Sequence, residues 1–115
     1  MLRWNDLREM ISLGHEIGSH TRTHAKFSEI SKCEKTMHNE ISQSKDELER
    51  ELERECKYIS WPYGTLSDAD DASIDMARKA GYDACFGAFR DVIQAGKTDL
   101  FKIPRHHFEV QWPFN

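Results

Sequence analysis

Residues 15–24 read HEIGSHTRTH and place His20 and His24 four positions apart, with His15 five before the first of them. Neutral imidazole suits zinc, cobalt and similar borderline ions, so a histidine pair raises the question of a metal. On a helix, positions i and i+4 would share a face and grip an ion together. Here Gly14, Gly18 and the alternation of Ile17 with Ser19 point instead to a short strand. His20 then ends that strand and His24 sits on the loop after it, while His15 falls at the opposite end and leaves the shared site. The carboxyl ends of strands are where active sites gather in barrels and open parallel sheets. A catalytic zinc site takes three protein ligands plus an open position for water, and this spacing supplies two. The plain alternative is a pair of surface or capping histidines.

Several elements must position these residues. Asn5 is suited to cap a helix with Leu7, Met10, Ile11 and Leu2 on its apolar face, and Gly14 to end it. Ser31 with Glu34 fits a capping box, and Met37, Ile41, Ser44, Leu48 and Leu52 form one stripe, which predicts a helix over 31–55. Its other face, with Lys45, Glu49, Arg50 and Glu53, reads as solvated surface. KYISW reads as a buried strand stopped at Pro62. A helix from about Asp68 through Ile74, Met76, Ala77 and Ala80 is closed by Gly81. DACFGAF and LFKI read as further strands, and RHHFEV as an edge strand continuing the last. Strands alternating with helices predict an α/β fold with parallel strands and crossover helices, in one domain over 1–115.

Composition narrows the function. The chain has 115 residues, 38% hydrophobic and 31% charged, with a net charge of −4. No basic footprint for nucleic acid or an anionic membrane is visible, and no apolar run is long enough to span a bilayer. The N-terminus lacks the apolar core of a secretory signal, which predicts a cytoplasmic chain if Met1 is the true start. Cys33, Cys56 and Cys85 form no CxxC spacing and read as free structural thiols. Asp68, Asp70, Asp71 and Asp75 cluster at a helix N-terminus, where carboxylates favour the dipole. Neither they nor the Cys33–His38 pair has a metal-binding pattern.

In order, LGHEIGSHTRTH, a long helix, YISWPYG and a helix ending ARKAGYDACF resemble the polysaccharide deacetylase family. This is the fourth carbohydrate esterase family, which shares a homology domain with a nodulation chitooligosaccharide deacetylase. The resemblance runs from Asn5 to about Phe108. It implies a distorted (β/α) barrel and a divalent metal, usually zinc, held by one Asp and two His, the latter falling on His20 and His24. It implies hydrolysis of acetyl groups, mainly N-acetyl, from a carbohydrate, a hydrolase chemistry on carbon–nitrogen bonds other than peptide bonds. The Trp61-Pro62-Tyr63 segment would line the substrate groove, with the Tyr63 backbone N–H on the oxyanion. Arg105, in KIPRH, resembles a groove position, and His106 is a late candidate for the general acid.

The match has gaps. The family's first motif, a Thr-Phe-Asp-Asp-like segment supplying the base and third ligand, has no counterpart before Gly14, where Asp6 and Glu9 lie inside the predicted helix. Ser60 stands where many members carry an Arg. The chain is thus expected to be either the C-terminal part of a longer deacetylase or a short relative with impaired chemistry. Its partial barrel should self-associate or meet a missing N-terminal segment. The competing reading is a non-catalytic carbohydrate-binding or interaction module in which Trp61, Tyr63 and Trp112 stack on sugar rings.

Overall fold

The computed structural model describes residues 2–105. His106, His107, Trp112 and most of the expected edge strand lie outside the described residues. Two strands, β1 (Tyr58–Ser60) and β2 (Ala84–Phe86), pair in parallel with Ile59 opposite Cys85. Single parallel bridges extend this sheet on both sides, Ser19 to Ile59 and Phe86 to Ile103. The predicted first and last strands are therefore present as one bridge each. The alternation read from the sequence holds, with Ser19 buried and Gly18 and His20 exposed.

The helices match in position and differ at their ends. Helix α1 (Trp4–Ser12) begins after Arg3, not after Asn5. Asp6 lies where it can take the orphaned Arg3 N–H at 2.8 Å, which moves the start forward. Gly14 follows it with φ +95°. The predicted helix over 31–55 runs without a gap as α3 (Glu34–Met37), a π-helical turn (His38–Ser42) and α4 (Gln43–Leu52), and a separate short helix, α2 (Phe27–Ile30), precedes it. Ser31 does not cap it. Its hydroxyl goes to the Asp70 carboxylate and Cys33 takes the cap position. Helix α5 (Asp71–Ala80) starts later than predicted, with Asp70 as cap accepting from the Ser73 N–H at 3.0 Å. Asp68 instead closes a 3₁₀ turn (Leu66–Asp68) and accepts from the Thr65 N–H and hydroxyl. No helix among the described residues is long and apolar enough to cross a membrane.

The stripe Met37, Ile41 and Ser44 is buried as expected, against Ile59, Ile74, Ala77, Tyr82 and Cys85. The opposite face is not wholly solvated. Lys45 is buried, donating to Glu49 at 2.8 Å beneath the Tyr82 ring. Glu49 also accepts the Cys56 N–H, which ties the end of α4 to the approach to β1. All three cysteines are free, and burial pushes the Cys85 thiol up to about 12 and raises that of Cys56.

A buried polar chain fixes the helix to the sheet. The Ile41 carbonyl accepts from the Tyr82 hydroxyl at 2.9 Å and the Ser44 hydroxyl at 3.0 Å. Ser44 in turn lies 2.8 Å from the Ser19 hydroxyl. Burial pushes the Tyr82 phenol up to about 12, so it remains a donor throughout the ordinary pH range. Tyr82→Phe removes one of the two hydroxyl donors to this carbonyl. The loss should cost about 1 kcal/mol, read as a lower urea midpoint with an unchanged far-UV spectrum.

Acid should weaken the same fold. The Thr65 hydroxyl holds Asp68 low against the effect of burial. Burial pushes Asp70 and Glu49 up, but Ser31 and Ser73 outweigh it at Asp70, and Lys45 and the Cys56 N–H at Glu49. All three carboxyls therefore sit lower folded than unfolded. Their contribution is complete above the ordinary carboxylate range of about 4 and is lost as pH falls through the folded values. Thermal midpoints should drop below about pH 4, and less steeply in Asp70→Asn, which keeps a capping side chain.

Candidate metal centre

His20 is set by the most constrained piece of backbone near the sheet edge. Ser19 donates to the Tyr58 carbonyl at 2.8 Å and accepts the Ser60 N–H at 2.9 Å, so the next residue leaves the end of β1 in a fixed direction. The His20 Nδ1 then lies 2.8 Å from the Ser60 carbonyl and 3.1 Å from its hydroxyl. A carbonyl only accepts, so Nδ1 carries the proton, and the lone pair of the neutral ring is on Nε2. This is the arrangement by which metal-binding histidines fix their tautomer. Ser60, at the position where an Arg was the alternative, supplies that anchor with its backbone and its hydroxyl.

His24 reaches the same place through a tight turn. Thr21 and His24 have φ of +63° and +62°, and the Thr21 hydroxyl accepts the Ala25 N–H at 3.1 Å. The His20 and His24 ring centres are 4.9 Å apart. Zinc–nitrogen bonds of about 2.0–2.1 Å place each ring centre about 3.2 Å from the metal, so two imidazoles on one tetrahedral ion have centres about 5.2 Å apart. The pair fits a shared ion on spacing and on the free Nε2 of His20. His15 lies elsewhere, beside Ile11, Leu48 and Cys56. Among the described residues no group of three or more His, Cys, Asp and Glu could hold a metal ion.

The WPYG turn completes the neighbourhood. Trp61 is 1% exposed, packed between Phe27 and Phe89, and donates its indole N–H to the Thr65 carbonyl at 3.0 Å. Pro62 is also buried. Neither side chain is offered to a sugar, which corrects the expectation that Trp61 could stack on one. Tyr63 is 61% exposed with φ +70°, its ring 5.0 Å from that of His24 and 5.1 Å from the Lys26 ammonium. Its backbone N–H has no hydrogen-bond partner among the described residues. Gly64 follows with φ +84°, and a Cβ there would come within 2.8 Å of the Ala88 backbone nitrogen, so only glycine fits.

Arg105 donates to the Gly87 carbonyl at 2.7 Å. With Ser19, His20, Ser60 and Phe86 it lines a cleft of about 320 Å³ beside the histidine pair. The structure thus brings His20, His24, Tyr63 and Arg105 to one end of the sheet. Three of the four non-glycine residues with positive φ among the described residues, Thr21, His24 and Tyr63, are gathered there. Each such conformation costs about 1–3 kcal/mol and persists only where its surroundings over-determine it.

Sequence reasoning missed one residue at this site. Glu40, on the π turn, is 8% exposed and its carboxylate faces the histidine turn. One oxygen accepts the Arg22 and Thr23 N–H groups at 3.0 and 2.9 Å, and the other accepts the Thr23 hydroxyl at 2.6 Å. Its adjacency to Ile41 on the buried stripe was the available signal, and a regular helix does not show where that side chain points.

Residues 2–85 match the family model for polysaccharide deacetylase. Among solved structures, a polysaccharide deacetylase from Bacillus cereus is 25% identical with a TM-score of 0.76, over 91% of this chain and 32% of that one. A Streptococcus pyogenes deacetylase in complex with acetate is 21% identical with a TM-score of 0.77, over 91% of this chain and 44% of the other. A de-N-acetylase from Aggregatibacter actinomycetemcomitans is 20% identical with the same score, over 99% and 51%. No curated protein matches significantly. The chain spans between a third and about half of the length of these solved structures. With the parallel sheet, the strand-end histidine and the following turn in their predicted places, the match over 2–85 establishes that the chain belongs to the polysaccharide deacetylase family.

Proposed function

We propose that this chain carries part of the active site of a metal-dependent deacetylase acting on acetylated carbohydrate, with His20 and His24 as two ligands of a zinc-type ion. The observation that carries this reading is the His20 Nδ1 contact with the Ser60 carbonyl, which leaves Nε2 free on a ring whose centre is 4.9 Å from that of His24. A bound ion at such a site polarises an acetyl carbonyl and lowers the pKa of a coordinated water. The residues of the chain do the positioning. The free Tyr63 N–H, held in its left-handed turn by Gly64, would take the developing oxyanion. Arg105 and the cleft wall would orient the sugar. Acetate, the product expected of such a reaction, is present in the related streptococcal deacetylase structure.

A third ligand and a general base are the remaining requirements, and we assign them to a partner segment that would lie beside the Ser19 strand. Ser19 gives both backbone groups to β1, while Gly18 and His20 make no backbone hydrogen bond among the described residues. That edge is open to another strand. The same openness supports association of the chain with a second copy of itself. Light scattering at moderate concentration should give a mass above that of the 13.5 kDa chain. A monomer with a cooperative melt would count against this.

Two ligands should bind zinc weakly, and without a base the chain alone should release little acetate from chitooligosaccharide. Calorimetric zinc titration of the whole chain should show one weak site, lost in His20→Ala and in His24→Ala. Undiminished binding in either variant would overturn the assignment. Rapid zinc-dependent acetate release would show that the chain needs no partner segment.

A further inference from the structure

We propose that Glu40 is a positioning residue for the metal site, its carboxylate fixing the turn that carries His24 toward His20. This rests on the reading of His20 and His24 as ligands. The turn over residues 20–24 has no sheet bonds of its own beyond Ser19, and it contains the two left-handed residues Thr21 and His24. Its internal support is the bond from the Ala25 N–H to the Thr21 hydroxyl. From elsewhere in the fold, Ser60 holds the His20 ring at its start, and Glu40 takes three donors from two consecutive residues, Arg22 and Thr23, lying between the left-handed pair.

The chemistry of the contact fits that task. A carboxylate accepts and cannot donate, so it specifies N–H and O–H groups pointing inward and excludes the flipped peptide that would turn His24 away. A charge so little exposed is tolerated only when paired or hydrogen-bonded, and three donors meet that need. The π turn is what places it there. In His38–Ser42 the Gln43 N–H reaches back five residues to the His38 carbonyl, so the helix is locally widened. Within the turn Ile41 is fully buried and its carbonyl is held by Tyr82, while the neighbouring Glu40 carboxylate meets the loop. Such turns recur at functional sites because they re-aim a side chain without ending the helix.

Zinc titration of the whole chain by calorimetry, paired with amide hydrogen exchange, tests this. Glu40→Ala should weaken zinc binding about 10–100-fold, the range typical of lost partners of a metal site, and speed exchange at Arg22 and Thr23. Glu40→Gln keeps an oxygen for the two backbone N–H groups and should recover most of the affinity. Thr23→Val, an exposed change that leaves the fold intact, should weaken binding by less than Glu40→Ala. A general structural role would lower the melting temperature of Glu40→Ala and Glu40→Gln alike without this graded order of affinities. If the wild-type chain binds zinc and Glu40→Ala and Thr23→Val bind it equally well, the inference is overturned while the ligand reading stands. A wild-type chain that binds no zinc overturns the ligand reading first, and this inference with it.

Discussion

The Ile41 carbonyl is the point from which the rest of the arrangement can be traced. It lies in the π turn and accepts from the Ser44 and Tyr82 hydroxyls. Ser44 carries the connection to Ser19 beside β1, and Tyr82 carries it to the loop between α5 and β2. Each of these buried hydroxyl bonds contributes about 1 kcal/mol, and together they hold helix, strand edge and crossover to one relative placement. The same turn presents Glu40 on its other side. One local departure from the α-helix thus settles both where the sheet edge lies and what the histidine turn rests against.

The site divides into a rigid half and a strained half. His20 follows Ser19, whose backbone is paired with β1, and its ring is held by a carbonyl at the end of that strand. His24 and Tyr63 are carried on left-handed residues, which fold into place only because neighbouring contacts outweigh the local cost. Gly64 against Ala88 supplies that for the WPYG turn, and Glu40 supplies it for the histidine turn. Side chains held this way would need little reorganisation on binding an ion.

The sequence made the periodic and punctuated parts legible. Met37, Ile41 and Ser44 announced a buried face, Gly14 and Gly81 announced helix ends, and the order of HEIGSHTRTH and WPYG announced both the family and the location of the site. The misses share a cause. Ser31 and Lys45 were assigned a cap and solvent from local rules, and each is claimed by something distant in the chain, Asp70 for Ser31 and the Tyr82 ring for Lys45, while Asp68 caps a nearer turn at Thr65 instead of α5. Trp61 was ambiguous because an aromatic before Pro-Tyr-Gly serves a core as well as a groove, and burial between Phe27 and Phe89 decides it. Glu40 was invisible because a π turn has no sequence signature, yet its direction depends on one.

Two histidines placed together at a strand end, as proposed for an ion, are not the same as a site lacking metal chemistry. Losing a ligand would lower affinity, but the ring centres of His20 and His24 are 4.9 Å apart, close to the spacing a common ion would need, and the tautomer of His20 is set by the Ser60 carbonyl. Their position beside the open edge of the Ser19 strand means that any strand pairing there would bring its own side chains alongside His20, at the carboxyl end of the sheet. The fixed tautomer of His20 and the strained turns at His24 and Tyr63 are supplied by the described residues. On the proposed reading, a strand beside Ser19 would add the carboxylates.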